Sequence, residues 1–202
     1  MIQSSDRRGW IGASDTSYVV GNWKTETFRR WWMTKMGLNF RPKFATKFTL
    51  AGTYYEHAIL DTIPGVIKDK QIILPELSLR VNYDGIIEGD TIAIKEVKTH
   101  KEDKEFKVSK LYWRQAQVEI FAAEKYYGRP VSLDIVSYPM TEKHYRNYFL
   151  KIDKDMIRTT PVEKDPAFIG EYLPKLEYLK YCMEIGAFPT EGGYEEFKQR
   201  KS

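Results

Sequence analysis

Residues 66–140 place three strand-like segments before a long helix and one further strand after it, and few fold classes accommodate that order. The strand-like segments are rich in β-branched and aromatic residues and lie at 66–74, 77–87, 91–99 and 130–139, with 144–153 as one more strand. The long helix occupies 109–128 and ends at a glycine. Helical patterns dominate the remainder of the chain. This order predicts an α/β fold with one small mixed sheet flanked by helices.

The length and composition of the chain fit a single folded domain. The 202 residues suit one domain, and a hydrophobic content of 42% with 14% aromatic residues supplies the material for a core. We therefore expect one domain over residues 1–202, with a helical C-terminal part. The net charge of +4 results from 32 basic against 28 acidic residues, which permits a polyanionic partner without requiring one.

Cysteine and histidine usage excludes several kinds of site. Cys182 is the only cysteine, so an intramolecular disulfide, a cysteine-ligated zinc site and a four-cysteine iron–sulfur cluster are excluded. His57, His100 and His144 are far apart in the sequence and lack metal-ligand spacing. No segment has the pattern of a signal peptide or of a membrane span, so we expect a soluble, cytoplasmic protein without a membrane partner.

The segment YDGIIEGDTIAIKEVKTH, residues 83–100, carries charged residues within a strongly apolar hairpin. Asp84-Gly85 is a common hairpin-turn dipeptide, and Glu-Gly-Asp at 88–90 is a second turn signal. A turn at 88–90 leaves matched strands on both sides, whereas a turn at Asp84 leaves the following segment without a partner. We therefore place Asp84 inside a strand, where aspartate is disfavoured.

A three-residue turn at this point sets the register of the hairpin. It pairs Asp84 with Ile94 and places Glu96 diagonally across from Asp84, with Lys98 on the same face as Glu96. Diagonal neighbours lie about 7–8 Å apart at Cα, which allows two carboxylates to converge on one ion. Two acids and a lysine on an apolar face are costly without a cation or a substrate. Exposure at the end of a strand is the structural alternative.

A carboxylate pair with a neighbouring lysine suits hydrolysis assisted by a hard divalent cation such as Mg²⁺. Such a cation polarises a phosphoryl or carbonyl oxygen and lowers the pKa of bound water. The lysine can orient or deprotonate that water and stabilise the developing negative charge. The pattern of an aspartate, eleven residues and then Glu-Val-Lys therefore predicts a metal-dependent hydrolytic site.

Asp84 and the tripeptide Glu96-Val97-Lys98 resemble the signature of PD-(D/E)xK nucleases, with Asn-Tyr rather than proline before the aspartate. Three further segments resemble the lambda exonuclease and YqaJ-type viral recombinase family: RRGWIGASD its N-terminal motif, AGTYYEHAIL its Gly-x-x-x-Glu helix, and YWRQAQVEIF its Gln-x-Gln helix. The four motifs follow the order of the family and cover somewhat over half of the chain. The resemblance implies a restriction-endonuclease-like core within the predicted α/β fold.

The resemblance also implies the roles of the central residues. Asp84, Glu96 and the backbone carbonyl of Val97 would bind catalytic Mg²⁺, with two ions per site and Mn²⁺ as a substitute. Lys98 would position and activate the attacking water.

Five further residues receive roles from the same resemblance. Glu56 would add an acid near the metal or its water, and Gln115 would hydrogen-bond near the active site. Their alternatives are an ordinary exposed helix acid and a glutamine satisfied by solvent. Arg7 would bind a terminal 5′-phosphate, with the adjacent Arg8 as the competing candidate, because a guanidinium is permanently charged and bidentate toward phosphate. Ser14 would add a contact to that phosphate, or would only cap a short helix.

The function implied by the resemblance is that of an exonuclease degrading one strand of linear double-stranded DNA from its 5′ end. The products would be 3′ single strands for phage-type recombination. Implied partners are duplex DNA ends, a single-strand annealing protein and further copies in a homotrimer ring, in a bacterial host cytoplasm. A nicking or structure-specific endonuclease of the same superfamily is the closest alternative. A non-catalytic DNA-end-binding protein is the other, and an intact set of catalytic residues argues against it.

Overall fold

A five-stranded mixed sheet forms the centre of the molecule. The computed structural model describes residues 8–38 and 46–201. Its strands are β1 (Ile67–Leu74), β2 (Leu79–Ile87), β3 (Ile92–Lys101), β4 (Val131–Met140) and β5 (Arg158–Val162), in that order across the sheet. The β3–β4 pair is parallel and the other three pairs are antiparallel. The predicted fold class, a small mixed sheet flanked by helices, is confirmed.

The helices of the described residues cover both faces of this sheet. They are α1 (Thr16–Val19), α2 (Glu26–Lys35), α3 (Lys47–Leu60), α4 (Lys110–Tyr127), α5 (Glu142–Arg146), α6 (Pro166–Glu184) and α7 (Glu191–Lys201). The long helices begin at local capping residues: the Thr25 hydroxyl accepts a hydrogen bond from the Phe28 N–H before α2, and Ser109 does the same for Tyr112 before α4. Within the part of the chain that the structure describes, no helix has the length and apolar content needed to cross a membrane.

Helix α4 connects the two parallel strands and therefore packs on the sheet. It ends at Gly128, whose φ of 62° lies in the left-handed region that favours glycine. A core cluster forms on this face of the sheet, with buried residues from β2, β3, β4, α2, α4 and α6. A second cluster lies on the other face, where Tyr55 and Ile59 of α3 pack against Val97 of β3 and Val136 of β4. The catalytic candidates lie between helices α3 and α4.

The prediction of a strand at 144–153 is wrong. Thr141 and His144 form a capping box, in which the Thr141 N–H donates to His144 Nδ1 at 3.0 Å, and this local motif begins helix α5. The fifth strand lies later in the chain, at Arg158–Val162, and pairs antiparallel with β4. Local capping outweighs the β-propensity of the aromatic residues in the segment.

The register predicted for the hairpin is also wrong, by two residues. Ile94 pairs with Ile86 rather than with Asp84, and the ladder runs from the Ile87–Ala93 pair to the Gly85–Lys95 pair. The connection is therefore longer than three residues and spans 88–91. A shift of two residues keeps the side chains of β3 on their predicted faces, because strand side chains alternate with a period of two.

Candidate active site

Asp84 lies where β2 and β3 separate. The ladder between these strands ends at the Gly85–Lys95 pair, and Asp84 Oδ2 instead accepts a hydrogen bond from the Val97 N–H at 2.8 Å. The half-buried carboxylate of β2 is thereby held against the Glu96-Val97-Lys98 segment of β3.

The alternation of side chains along β2 breaks at the same point. Val81, Tyr83 and Ile86 all belong to one core cluster, although strict alternation would put Ile86 on the opposite face. Gly85 lies within the break, and a Cβ atom at this position would be 2.6 Å from Val66 Cγ2. Only glycine fits such a close approach without a local shift.

Glu96 is the centre of the hydrogen-bonded network. The residue is 4% exposed, and its Oε1 atom accepts hydrogen bonds from Lys98 Nζ and, at 2.7 Å, from Gln115 Nε2. The other oxygen, Oε2, is buried and has no hydrogen-bond partner among the described residues. Lys98 Nζ also lies 5.1 Å from the ring centroid of Tyr112. Three of the predicted residues, Glu96, Lys98 and Gln115, are therefore in direct contact.

Glu119 extends this network and was not among the predicted residues. Gln115 Nε2 also donates to Glu119 Oε1 at 2.7 Å, so one amide group bridges two carboxyls. The Glu119 side chain is fully buried, and its Oε2 atom has no hydrogen-bond partner in residues 8–38 and 46–201. The contact with Gln115 could have been predicted from the spacing of four residues, because residues i and i+4 are neighbours on a helix.

The charge of Glu96 acts on every acid around it. Burial first, and then the charge of Glu96, raises the pKa of Glu56 and, to a greater extent, that of Asp84 and that of Glu119. Burial lowers the pKa of Lys98, but the charges of Glu96 and Asp84 outweigh it and hold that pKa above its ordinary value. Lys98 is therefore charged at neutral pH, and the carboxyl groups around it outnumber this one ammonium.

The donors at this site fit a divalent cation. Carboxylate oxygens are the ligands that Mg²⁺ and Mn²⁺ prefer, and the buried Oε2 atom of Glu96 has no other partner in the described chain. A bound cation would also offset the burial and the charge of Glu96, which together raise the pKa of Asp84 and of Glu56. The predicted role of the Val97 carbonyl stays a prediction.

A cavity of about 70 Å³ adjoins the carboxylates. Its lining combines backbone, hydroxyl, amide and charged groups from Trp10, Gly12, Ala13, Ser14, Asp15, Lys35, Arg80, Asn82, Gln115 and Glu119. Because Gln115 and Glu119 belong to both, the cavity is continuous with the network around Glu96. Arg80 and Asn82 could have been predicted, since they precede Asp84 at alternate positions of one strand. Lys35 comes from a distant helix and had no sequence signal.

The predicted phosphate-binding residues have different outcomes. Ser14 is exposed and lines the cavity, within a short turn that begins at Gly12, so it does not act as a helix cap. Arg8 is exposed and lies against Gly37 at the end of α2. Arg7 lies outside the described residues. Lys35 is buried in the cavity wall, where its ammonium donates to Asp15 Oδ2 at 2.5 Å.

Several solved structures are similar to this chain over most of its length. An alkaline exonuclease from Laribacter hongkongensis, LHK-Exo, matches with a TM-score of 0.61 at 19% identity, covering 96% of this chain and 94% of the exonuclease. The same enzyme in complex with dAMP matches with a TM-score of 0.63, at the same identity and coverage. A phage-related exonuclease from Haemophilus somnus 129PT matches with a TM-score of 0.55 at 14% identity, covering 96% of each chain.

Comparison by sequence gives no comparable match. No family model matches the chain, and no curated protein matches it. The similarity is therefore one of three-dimensional structure, and it agrees with the resemblance carried by the four motifs. The chain has the restriction-endonuclease-like fold of these exonucleases.

Proposed function

We propose that this chain is a Mg²⁺-dependent exonuclease that hydrolyses one strand of linear double-stranded DNA from its 5′ end. The observation that supports it most is the buried Glu96 carboxylate, which contacts Lys98 and Gln115 and keeps one oxygen without a hydrogen-bond partner in the described chain. A merely structural carboxylate at this depth would use both oxygens. The solved exonucleases of the same fold support the reaction class.

The proposed mechanism gives each residue of the network one task. Asp84 and Glu96, with Glu56 and the Val97 carbonyl nearby, would hold up to two ions, and Mg²⁺ or Mn²⁺ would neutralise charge on the phosphodiester. Lys98 would hold the attacking water by a hydrogen bond and stabilise the negative charge that develops on the phosphate. Because its pKa is raised, Lys98 acts in this scheme as a charged donor rather than as the base.

Gln115 has a positioning task. Its amide donates to Glu96 Oε1, which leaves Oε2 of Glu96 available to a ligand. The contact also keeps the Glu96 side chain in one rotamer, since the same amide is held by Glu119 on the other side. The expected reaction products are a 5′-phosphate and a 3′-hydroxyl.

The cavity beside the network is the proposed site for a terminal 5′-phosphate. Ser14, Arg80 and Asn82 line it with hydroxyl, guanidinium and amide groups, which can donate hydrogen bonds to phosphate oxygens. Arg7, or else Arg8, would complete the site from the N-terminal segment. A structure of the same fold was obtained with dAMP, a nucleoside monophosphate, which is consistent with such a site.

The proposed setting follows from the same activity. One nuclease domain over residues 1–202 would load onto duplex ends in the cytoplasm of a bacterial host. It would pass 3′ single strands to an annealing protein, and a homotrimer ring would keep it on the DNA. An endonuclease of the same superfamily is the second candidate, because the same network could cut internal bonds.

The decisive experiment compares linear duplexes carrying 5′-phosphate or 5′-hydroxyl ends with closed circular DNA, in Mg²⁺ or in EDTA. We expect Mg²⁺-dependent loss of linear DNA only, faster from phosphorylated ends, and no loss with Lys98→Ala. Lys95→Ala is the matched control, because Lys95 lies on the same strand but pairs with Asp134 on the other side. Its activity should equal that of the unmodified protein.

Each remaining outcome has a definite meaning. Cleavage of closed circles would favour the endonuclease. Binding to duplex ends without cleavage, in either Mg²⁺ or Mn²⁺, would refute catalysis and favour an end-binding protein. Equal rates on phosphate and hydroxyl ends would refute the assignment of the cavity to a 5′-phosphate.

A further inference from the structure

Two of the side chains that line the proposed phosphate cavity contact a residue outside it. Gln71 is half-buried on the edge strand β1, and its register partner on β2 is Asn82. Arg80 lies two residues before Asn82 on the same strand. Ile72 of β1 and Val81 of β2 are both buried in the core cluster. Alternation along the two strands therefore places the three polar side chains together on the opposite face.

The amide group of Gln71 is within hydrogen-bonding distance of both cavity residues. One of its two polar atoms lies 2.8 Å from Arg80 Nε, 3.1 Å from Arg80 Nη2 and 2.6 Å from the side-chain amide of Asn82. A guanidinium carries only donors, so the atom that faces it is the Gln71 oxygen, which is an acceptor. Gln71 therefore accepts two hydrogen bonds from Arg80 and also contacts Asn82.

This contact orients the guanidinium without offsetting its charge. Two hydrogen bonds from different nitrogens of Arg80 to one oxygen restrict the plane of the guanidinium at the end of a long, flexible side chain. The amide of Gln71 is neutral, whereas a carboxylate at the same position would form an ion pair with Arg80 and compete with a phosphate for it. A preoriented cation binds an anion more tightly, because less side-chain freedom is lost on binding.

We propose that Gln71 is a positioning residue for the phosphate cavity and determines how strongly the protein prefers 5′-phosphorylated DNA ends. It acts through Arg80 and Asn82, since it does not itself line the cavity. The inference rests on the proposed function, which assigns that cavity to the terminal phosphate. Gln71 belongs to none of the four sequence motifs, so it is a determinant of specificity outside them.

The test compares matched duplexes with 5′-phosphate or 5′-hydroxyl ends. Binding is measured by fluorescence anisotropy in EDTA, and kcat/KM is measured in Mg²⁺. Gln71→Leu should lower the preference for phosphorylated ends about tenfold in both measurements, which is the scale for losing a group that orients a binding side chain. Binding and cleavage of hydroxyl ends should not change, whereas a loss of structure would weaken both kinds of end equally.

A second variant and a matched control support this comparison. Gln71→Glu keeps an acceptor oxygen beside Arg80, so the protein should melt no lower than the parent, but the added negative charge should also lower the preference. Lys70→Met changes the neighbouring residue of the same strand, whose ammonium instead lies 3.2 Å from Glu88 Oε1. Its preference for phosphorylated ends should equal that of the parent.

The outcomes separate this role from the proposed function. If the parent prefers phosphorylated ends and either Gln71 variant keeps the full preference, the role of Gln71 is refuted and the proposed function stands. If the parent cleaves linear DNA but has no preference, both the role of Gln71 and the assignment of the cavity are wrong. If the parent cleaves nothing, the proposed function is wrong, and the binding comparison in EDTA still decides the role of Gln71.

Discussion

The replacement of Glu119 by glutamine should stabilise the protein by an amount that grows with pH. Glu119 is fully buried, and burial together with the charge of Glu96 raises its pKa well above the ordinary value. Glutamine has the same shape as the protonated acid. Its carbonyl oxygen can accept the hydrogen bond that Gln115 Nε2 now donates to Glu119 Oε1 at 2.7 Å. The substitution therefore keeps the hydrogen bond from Gln115 and removes the ionisable carboxyl group.

The sign and the magnitude follow from proton linkage. The unfolded chain releases the Glu119 proton near pH 4.3, whereas the folded protein still holds it at that pH. Above this pH folding must take up a proton, so the free energy of unfolding falls by about 1.4 kcal/mol per pH unit until the folded pKa is reached. Above the folded pKa the loss is constant. Glu119→Gln lacks this loss, so its advantage should begin near pH 5 and increase at that slope.

Urea unfolding in EDTA between pH 5 and pH 9 measures this difference. Glu124→Gln is the control, because Glu124 lies on the same helix but forms an ion pair with Lys164 at its surface. Its difference from the unmodified protein should not grow with pH in favour of the variant. A Glu119→Gln advantage that stays constant with pH, or a variant less stable than the parent at pH 8, would refute the account of Glu119 as a buried, protonated acid.

Two further substitutions test the network and the cavity wall. Gln115→Ala should lower kcat/KM by about 10–100-fold, because Glu96 loses the amide that orients it. The control is Gln117, whose amide contacts Glu163 and Asp165 instead. Gln117→Ala should lower the free energy of unfolding by about 1–3 kcal/mol without changing activity per folded molecule. DNA degradation rates and urea unfolding separate the two, and equal kinetic effects would contradict the assignment. Lys35→Met should lower the free energy of unfolding by about 3–5 kcal/mol, since it leaves the largely buried carboxylate of Asp15 without its cation. Adding Asp15→Asn should recover part of that loss, and a Lys35→Met protein as stable as the parent would show that the pair is not effectively buried.

Local signals account for the parts of the fold that were predictable. The helix ends depend on contacts within a few residues: a threonine caps the start of α2, a serine caps the start of α4, and a glycine ends α4. The strands up to β4 follow from β-rich runs bounded by turn residues. The last strand was misplaced because a capping motif at Thr141 competes with the aromatic residues that follow it. Such competition is decided by energies of about 1 kcal/mol, which patterns alone do not resolve.

Long-range contacts account for what was not predictable. The faces of Glu96 and Lys98 were predictable because alternation along β3 survives an error of two residues in the register. The bond from the Val97 N–H to Asp84 was not, since it depends on the early separation of β2 from β3. Lys35 joins the cavity from a helix 45 residues before Arg80 in the sequence, and no local pattern connects the two.

The electrostatics of the site explain why its residues are costly as well as why they belong together. Glu56, Asp84, Glu96 and Glu119 surround the ammonium of Lys98, and burial first, then the charge of Glu96, raises the pKa of Glu56, Asp84 and Glu119. A protein selected for stability alone would replace such a cluster with apolar residues. Such a cluster destabilises the folded protein until a cation binds and neutralises it. Binding of the cation therefore raises the free energy of unfolding. Metal binding and folding stability should therefore be coupled through the same four carboxyls, so that Mg²⁺ raises the melting temperature of the parent protein and does so less in Glu96→Gln.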